Sequence, residues 1–197
     1  FIKYNLIKKL IFLWESLLLK KMENKFSRGG FFLKTYFISE EANEEFGGVG
    51  IVIPPNLEND VVEFIKPLPK IIKRIFFIGH IDYEPNLVAL EKLGIELAKN
   101  QKKVRVIACG RISESNRSKL SKYPNLSLLG YVEDPATLAK TCEVGWGYLT
   151  IGTGTQNKVY DYLNWGLPAV VSELVFNGLD QRAKAGTILV DNMQKFL

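Results

Sequence analysis

Apolar and polar positions along this chain change period several times, and those changes divide it into elements. Residues 5–25 repeat near helical period, with Leu6, Leu10, Leu13, Leu17 and Leu18 on one face and lysines at both ends. Residues 35–38, Thr-Tyr-Phe-Ile, read as a short strand. Ser39 then reads as the N-cap of a helix over 40–46, with acidic residues in its first turn. Residues 51–53 predict a second strand, stopped by Pro54, Pro55 and Asn56. Many charges together with Pro67 and Pro69 make 57–73 a linker.

From Arg74 the pattern settles into strict alternation of element types. Residues 75–78 are a continuous apolar strand, as expected when both faces of a parallel sheet are covered. Pro85 starts a helix to about Lys99, with Leu87, Leu90, Leu93, Ile95 and Leu97 as core candidates. Strands follow at 104–108, 126–129 and 143–149. Ser113 caps the first helix between them, and Asp134 with Pro135 opens the second. A helix near 157–165 is stopped by Gly166, and Pro168 opens the strand 169–171. A helix over 174–185 and a strand at 187–190 complete the series. Strand and helix alternating through short loops predict an α/β fold with a doubly wound, Rossmann-like parallel sheet. In such sheets ligands bind outside the carboxyl ends of the strands, so Gly79-His80, Gly110-Arg111, Gly130-Tyr131 and Gly152-Thr153 converge by topology.

The chemistry concentrates in one of those loops. Gly152-Thr153-Gly154-Thr155 precedes Gln156-Asn157-Lys158 at the start of a helix. Two glycines let backbone N–H groups approach a ligand closely, and the helix N-terminus favours an anion. Lys158 is a cation in the first turn, a placement the helix dipole opposes and an anion above it would reward. Asp161, one turn on, is placed to accept from sugar hydroxyls. From the residues alone, a phosphate cradle and a merely capped helix with a flexible loop remain equally open, because short Gly-Thr runs are common.

Composition narrows the partners. Residues 1–36 carry eight Lys or Arg against two Glu, while the rest of the chain carries eighteen against nineteen acidic residues. The basic character therefore belongs to the N-terminus, and no broad basic face for nucleic acid is expected. The apolar run 10–19 contains Glu15, is too short to span a bilayer and lacks a cleavage site after it. A basic amphipathic helix suits either an anionic membrane surface or a neighbouring domain. Cys109 and Cys142 read as reduced core thiols of a cytoplasmic protein, and a lone histidine, His80, excludes multi-His metal sites. The chain opens on Phe1 and closes on what reads as the first turn of a helix, so a piece of a longer protein is expected.

Several stretches, in order, resemble family 4 glycosyltransferases, which have the two-domain GT-B fold. Lys158-Val159-Tyr160-Asp161-Tyr162-Leu163 and Gly166-Leu167-Pro168-Ala169-Val170-Val171 are similar to that family's Lys-Val-Leu-Glu-Ala-Met-Ala and Gly-x-Pro-Val-Val segments. The run Ile78 to Asn86 resembles the opening of the donor domain in bacterial members that build surface polysaccharides. Val106 to Gly110, Gly130 to Asp134, and the strand–helix–strand leading to Pro54-Pro55-Asn56 fit the same order over about 35–197. The resemblance implies an acceptor-domain remnant at 1–56, a linker at 57–73 and a nucleotide-sugar-binding domain at 74–197. It implies a sugar donor diphosphate held by Gly152, Thr153, Gly154, Thr155, Gln156, Asn157 and Lys158, ribose at Asp161, and the base beside Tyr131 and Val132. It also implies retaining, metal-independent glycosyl transfer, with no cofactor, to a saccharide or lipid-linked acceptor, by a cytoplasmic protein that can sit peripherally at the membrane. The catalytic base would then lie mostly outside this chain, leaving the piece able to bind donor without turnover. Two departures stand out. Thr153 occupies the place of a common glutamate, and His80 and Asp82 stand where the family often has Arg and Lys, which leaves Gly79, His80 and Arg111 as further cleft candidates. A nucleotide-sugar epimerase of the same architecture and a non-catalytic binding domain are the alternatives.

Overall fold

The computed structural model describes residues 12–22, 25, 34, 36–45, 47–48, 50–57, 65–100, 103–152 and 156–196. The chain divides into two compact units, Phe1–Pro54 and Pro55–Leu197.

In the first unit residues 12–22 are helical (α1). Two short strands, β1 (Tyr36–Phe37) and β2 (Ile51–Val52), pair in parallel around α2 (Glu40–Glu45). Ser39 does cap α2, its hydroxyl accepting from the Ala42 N–H at 3.2 Å. Asn43 then accepts from the Gly50 N–H at 2.9 Å, which turns the chain back into β2. Leu6 and Leu10 of the expected helical face lie outside the described residues. The remaining members, Leu13, Leu17 and Leu18, are exposed together with Phe12, Trp14, Leu19 and Met22. No helix among the described residues is long and apolar enough to cross a membrane.

The second unit is a six-stranded sheet, every pair parallel, in the order β5-β4-β3-β6-β7-β8. Its strands are β3 (Arg74–Ile78), β4 (Arg105–Cys109), β5 (Leu126–Gly130), β6 (Val144–Gly147), β7 (Ala169–Val171) and β8 (Thr187–Leu189). Successive residues of β3 face opposite ways, and each face is buried. Ile75 and Phe77 pack with Leu90, Leu93 and Leu97 of α3 (Glu84–Lys99), Leu120 of α4 (Glu114–Leu120) and Met193 of α9 (Met193–Phe196). Phe76 packs on the other side, with Ala139 of α5 (Pro135–Ala139), Val159, Tyr162 and Leu163 of α6 (Asn157–Asn164), Val175 of α7 (Glu173–Asn177) and Ala183 of α8 (Gln181–Ala185). That two-sided burial is why β3 carries an unbroken apolar run. The Cys109 and Cys142 thiols are free and buried, and burial pushes Cys109 up to about 11.

The structure differs from the expected elements at one place. The helix expected over 174–185 is two helices, α7 and α8, parted at Gly178. Asp180 accepts from the Ala183 N–H at 2.9 Å and so starts a new helix instead of continuing the old one. The segment expected as a linker is fastened to the second unit at its described ends. Leu57 is buried, Ile65 packs on the α6 side of the core, and the Lys66 N–H donates to the Gly166 carbonyl at 3.2 Å. Its apolar residues find partners, which charge and proline content alone do not reveal.

The chain winds outward through β3, β4 and β5, then returns to the other side of β3 with β6. At that reversal the ladder between β3 and β6 is short, pairing Ile75 with Val144 and Phe76 with Gly145. Beyond it the Tyr162 hydroxyl stands between the strands. It accepts from the Ile78 N–H at 3.0 Å and donates to the Trp146 carbonyl at 3.3 Å. The ring lies so close over Gly145 that a Cβ there would come within 2.3 Å of it. Tyr162→Phe should therefore lower the unfolding free energy by roughly 1–3 kcal/mol, the cost of stranding buried polar groups. Gly145→Ala should cost roughly 1–3 kcal/mol through overpacking. Urea unfolding with an unchanged m-value checks both, and a Tyr162→Phe midpoint equal to that of the parent would remove the bridge.

Candidate functional site

The reversal of strand order places the first turn of α3 and the first turn of α6 at the carboxyl ends of two adjacent strands, on opposite faces of the sheet. The crevice between them is where such sheets take ligands. Gly152 ends the described part of the loop before α6, with a φ of 119°. Thr153, Gly154 and Thr155 lie outside the described residues. Gln156 is the N-cap residue of α6 and Asn157 is exposed.

Lys158 is the centre of the arrangement. Its residue is only 9% exposed, although it sits in the first turn of a helix. The ammonium Nζ donates to Asn86 Oδ1 of α3 and lies 4.5 Å from the centroid of the Phe77 ring. A Cβ on Gly79 would stand 3.5 Å from Nζ and 3.1 Å from the Asn86 amide nitrogen. Gly79, with a φ of 153°, therefore lets the backbone at the end of β3 pass against both side chains. No carboxylate among the described residues pairs with Lys158. Burial accordingly pushes its ammonium down to about 8, with no charge among the described residues to hold it up. A buried ammonium held by a ring face and an amide, at the start of a helix, is complementary to an anion.

Asn86 is itself only 5% exposed. Its Nδ2 donates to the His80 carbonyl at 2.8 Å while its Oδ1 accepts from Lys158. That orientation of the amide satisfies both contacts and the reverse satisfies neither. Sequence reasoning assigned Asn86 no role. The available signal was a polar residue on the face of α3 that also carries Ala89, Leu90 and Leu93.

The other candidates occupy separate positions. The His80 ring is exposed, with Nε2 3.9 Å from an Asp82 oxygen. Asp82 is bound down: it accepts from the Ser113 N–H at 2.8 Å, the Ser113 hydroxyl at 2.8 Å and the Asn116 amide at 2.7 Å. The Ser113 backbone bond, then the Asn116 amide, hold its carboxyl below the usual value. Asp82 thus ties the loop after β3 to the start of α4. Arg111 is exposed after β4, and its carbonyl accepts from the Ile81 N–H at 2.8 Å. A Cβ on Gly110 would stand 1.8 Å from the Gly79 carbonyl oxygen, so the ends of β3 and β4 need that glycine to lie together. Asp161 is exposed on α6, and partial desolvation raises its carboxyl. Tyr131 is 84% exposed after β5, the edge strand two positions from β3, while Val132 packs partly onto the core.

No family model matches the chain, and no curated protein does. Solved structures are similar to it. WaaG, a glycosyltransferase involved in lipopolysaccharide biosynthesis, aligns at 13% identity over 83% of this chain and 51% of its own, with a TM-score of 0.51. TarM aligns at 13% identity over 88% of this chain and 36% of its own, with a TM-score of 0.59. Anabaena Alr3699/HepE in complex with UDP aligns at 13% identity over 83% and 51%, with a TM-score of 0.56. The chain thus spans about half, or less, of the length of each. Its six-stranded parallel unit has the fold of the GT-B glycosyltransferases.

Proposed function

We propose that this chain is the donor-binding portion of a glycosyltransferase, which moves a sugar from a nucleotide-diphosphate sugar to an acceptor hydroxyl. The observation that carries the reading is Lys158, a buried cation without a counter-charge among the described residues, at the switch point of the sheet. Folding a bare ammonium into this position lowers stability, and an anionic ligand offsets that cost. Structures of the same fold support the donor class: HepE is described in complex with UDP and glucose, and the pneumococcal O-GlcNAc transferase GtfA in complex with UDP and GlcNAc. In this reading the bond between the anomeric carbon and the diphosphate oxygen breaks while the acceptor oxygen bonds to that carbon. The acceptor proton passes to a base outside the described residues. Negative charge grows on the leaving diphosphate, where the Lys158 ammonium and the N–H groups opening α6 stabilise it. Asp161 takes the ribose hydroxyls, and Tyr131 with Val132 borders the base. The transfer proceeds with retention and without a metal, in surface polysaccharide or glycolipid synthesis.

The N-terminal unit extends the reading. α1 exposes Leu17, Leu18 and Met22 beside Lys20 and Lys21, a composition suited to an anionic membrane surface carrying a lipid-linked acceptor. The exposed Lys20–Glu45 ion pair, at 3.1 Å, is too weakly held to compete.

Three outcomes follow from these assignments. Lys158→Met should weaken UDP binding by roughly 1.5–3 kcal/mol in calorimetry, the range for bonds to charged groups. The free variant should unfold within about 1 kcal/mol of the parent or later, because relieving desolvation offsets the Asn86 oxygen left unpaired. Equal UDP affinity in variant and parent would overturn the site.

The pH dependence has two opposite signs. In the free protein the Lys158 ammonium titrates at about 8, below its unfolded value of 10.5. Between those values the unfolded chain binds more protons, so this group makes the fold more stable as pH rises through that window. Binding goes the other way: UDP affinity should fall by about tenfold per pH unit above 8, with proton uptake on binding, until the raised value of the bound state is reached. Lys158→Met should abolish the slope, and an unchanged slope in that variant would assign it elsewhere.

For α1, flotation of the chain with anionic vesicles should exceed that with neutral ones and weaken with salt. Changing Lys8, Lys9, Lys20 and Lys21 together to Gln should reduce it, at about 1 kcal/mol per lysine near the surface. Equal flotation with neutral and anionic vesicles would remove the electrostatic anchor.

A further inference from the structure

We infer that Asn86 is the positioning residue of this anion site, a neutral clamp that aims the Lys158 ammonium into the crevice and leaves its charge free for a diphosphate. The inference rests on the donor-binding reading of Lys158 and adds a residue and a charge requirement to it. Three observations support it. First, Asn86 is buried and spans the crevice: Oδ1 takes the ammonium and Nδ2 holds the His80 carbonyl, so one amide couples α6 to the loop leaving β3. Second, the end of β3 makes room for the amide: an ideal Cβ on Gly79 would stand 3.1 Å from its nitrogen and 3.5 Å from the ammonium, so a glycine there lets the two side chains meet. Third, every contact of the ammonium among the described residues is electrically neutral: an amide oxygen and the face of Phe77.

The third point decides the role. A lysine held only for stability at this depth is best served by a carboxylate, since a buried charge is costly unless paired. An aspartate would have the same size and, at the expense of the donor to the His80 carbonyl, would keep an oxygen on the ammonium. It would neutralise the ammonium before any ligand arrived. An amide orients the ammonium while its net charge persists. That is the condition under which an entering diphosphate, and not the protein, completes the ion pair.

The test compares Asn86→Asp, Asn86→Ala and the parent, each with and without Lys158→Met, using UDP and inorganic pyrophosphate as probes in calorimetry. If Asn86 only holds the His80 carbonyl and the packing there, N86D and N86A, which both lose that donor, cost alike. If it serves charge, N86D is the more severe. The expected order of affinity is parent, then N86A, then N86D, with N86D down by at least about tenfold, the least that loss of a charged hydrogen bond produces. N86D should also raise the titration of the Lys158 ammonium, read by side-chain NMR. In the Lys158→Met background the step from parent to N86A should shrink toward nothing, because the clamp then has no ammonium to aim.

Parent and N86D binding alike, or N86D binding as well as N86A or better, would overturn the clamp while leaving the donor-binding reading intact. A parent that binds neither probe would overturn both. Should N86D fail to fold, N86A decides alone: an equal loss of affinity with and without Lys158 shows that Asn86 does not act through the lysine and overturns the inference.

Discussion

Everything at this site depends on the parting of β3 and β6. A doubly wound sheet reverses direction once, and at the reversal two neighbouring strands send their helices to opposite faces. Their carboxyl ends therefore separate, and backbone groups that would have paired across the ladder lose their partners. Buried groups of that kind must be satisfied. Here the Tyr162 hydroxyl satisfies both an N–H of β3 and a carbonyl of β6, and Gly145 yields the room for its ring. The same residue seats α6. Lys158 lies four positions earlier, on the same helical face, so the tyrosine that closes the gap below also sets where the lysine emerges above.

The site is electrostatically incomplete by construction. Burying the ammonium costs about 3 kcal/mol at neutral pH, the equivalent of its lowered proton affinity, and nothing charged among the described residues returns it. The neighbours are instead an amide, a ring face and backbone near a helix start. Each steadies a cation without neutralising it. Under the proposed function, the ligand is the missing partner. The loops after β3 and β4 are tied down. Asp82 is bound to the start of α4 by backbone and side-chain bonds, and the Gly110 backbone lies against that of Gly79. The crevice is thus framed before a ligand enters, which lowers the ordering cost of binding.

The alternation of apolar runs and helical periods was enough to place the strands and helices of the second unit, because two-sided burial and capping are local signals. Asp134 and Ser113 cap where their side chains predict, and β3 is buried on both faces as its composition requires. The same local reading merged α7 with α8, since apolar period says nothing of a side chain that reaches forward to start a new helix, as Asp180 does. It likewise gave 57–73 as a linker without partners for Leu57 and Ile65, because the core they join is assembled from elements along the whole second unit.

For the site, the chain by itself determined the ingredients: glycines at strand ends, a helix start after β6, and a lysine in the first turn where the dipole opposes it. Those follow from spacing and residue type. Only the tertiary structure decided how they are joined. Strand order brought β3 beside β6 and hence Asn86 onto Lys158, 72 positions apart. Burial decided that the lysine is inside and not solvated, and the absence of a carboxylate among its described neighbours decided its charge balance. Asp82, which stands in the sequence where the family often has a basic residue, is a structural fastener because Ser113 and Asn116 stand beside it. The physical reason is general: a side chain's type is written locally, whereas its dielectric surroundings and partners belong to contacts that only the folded sheet creates.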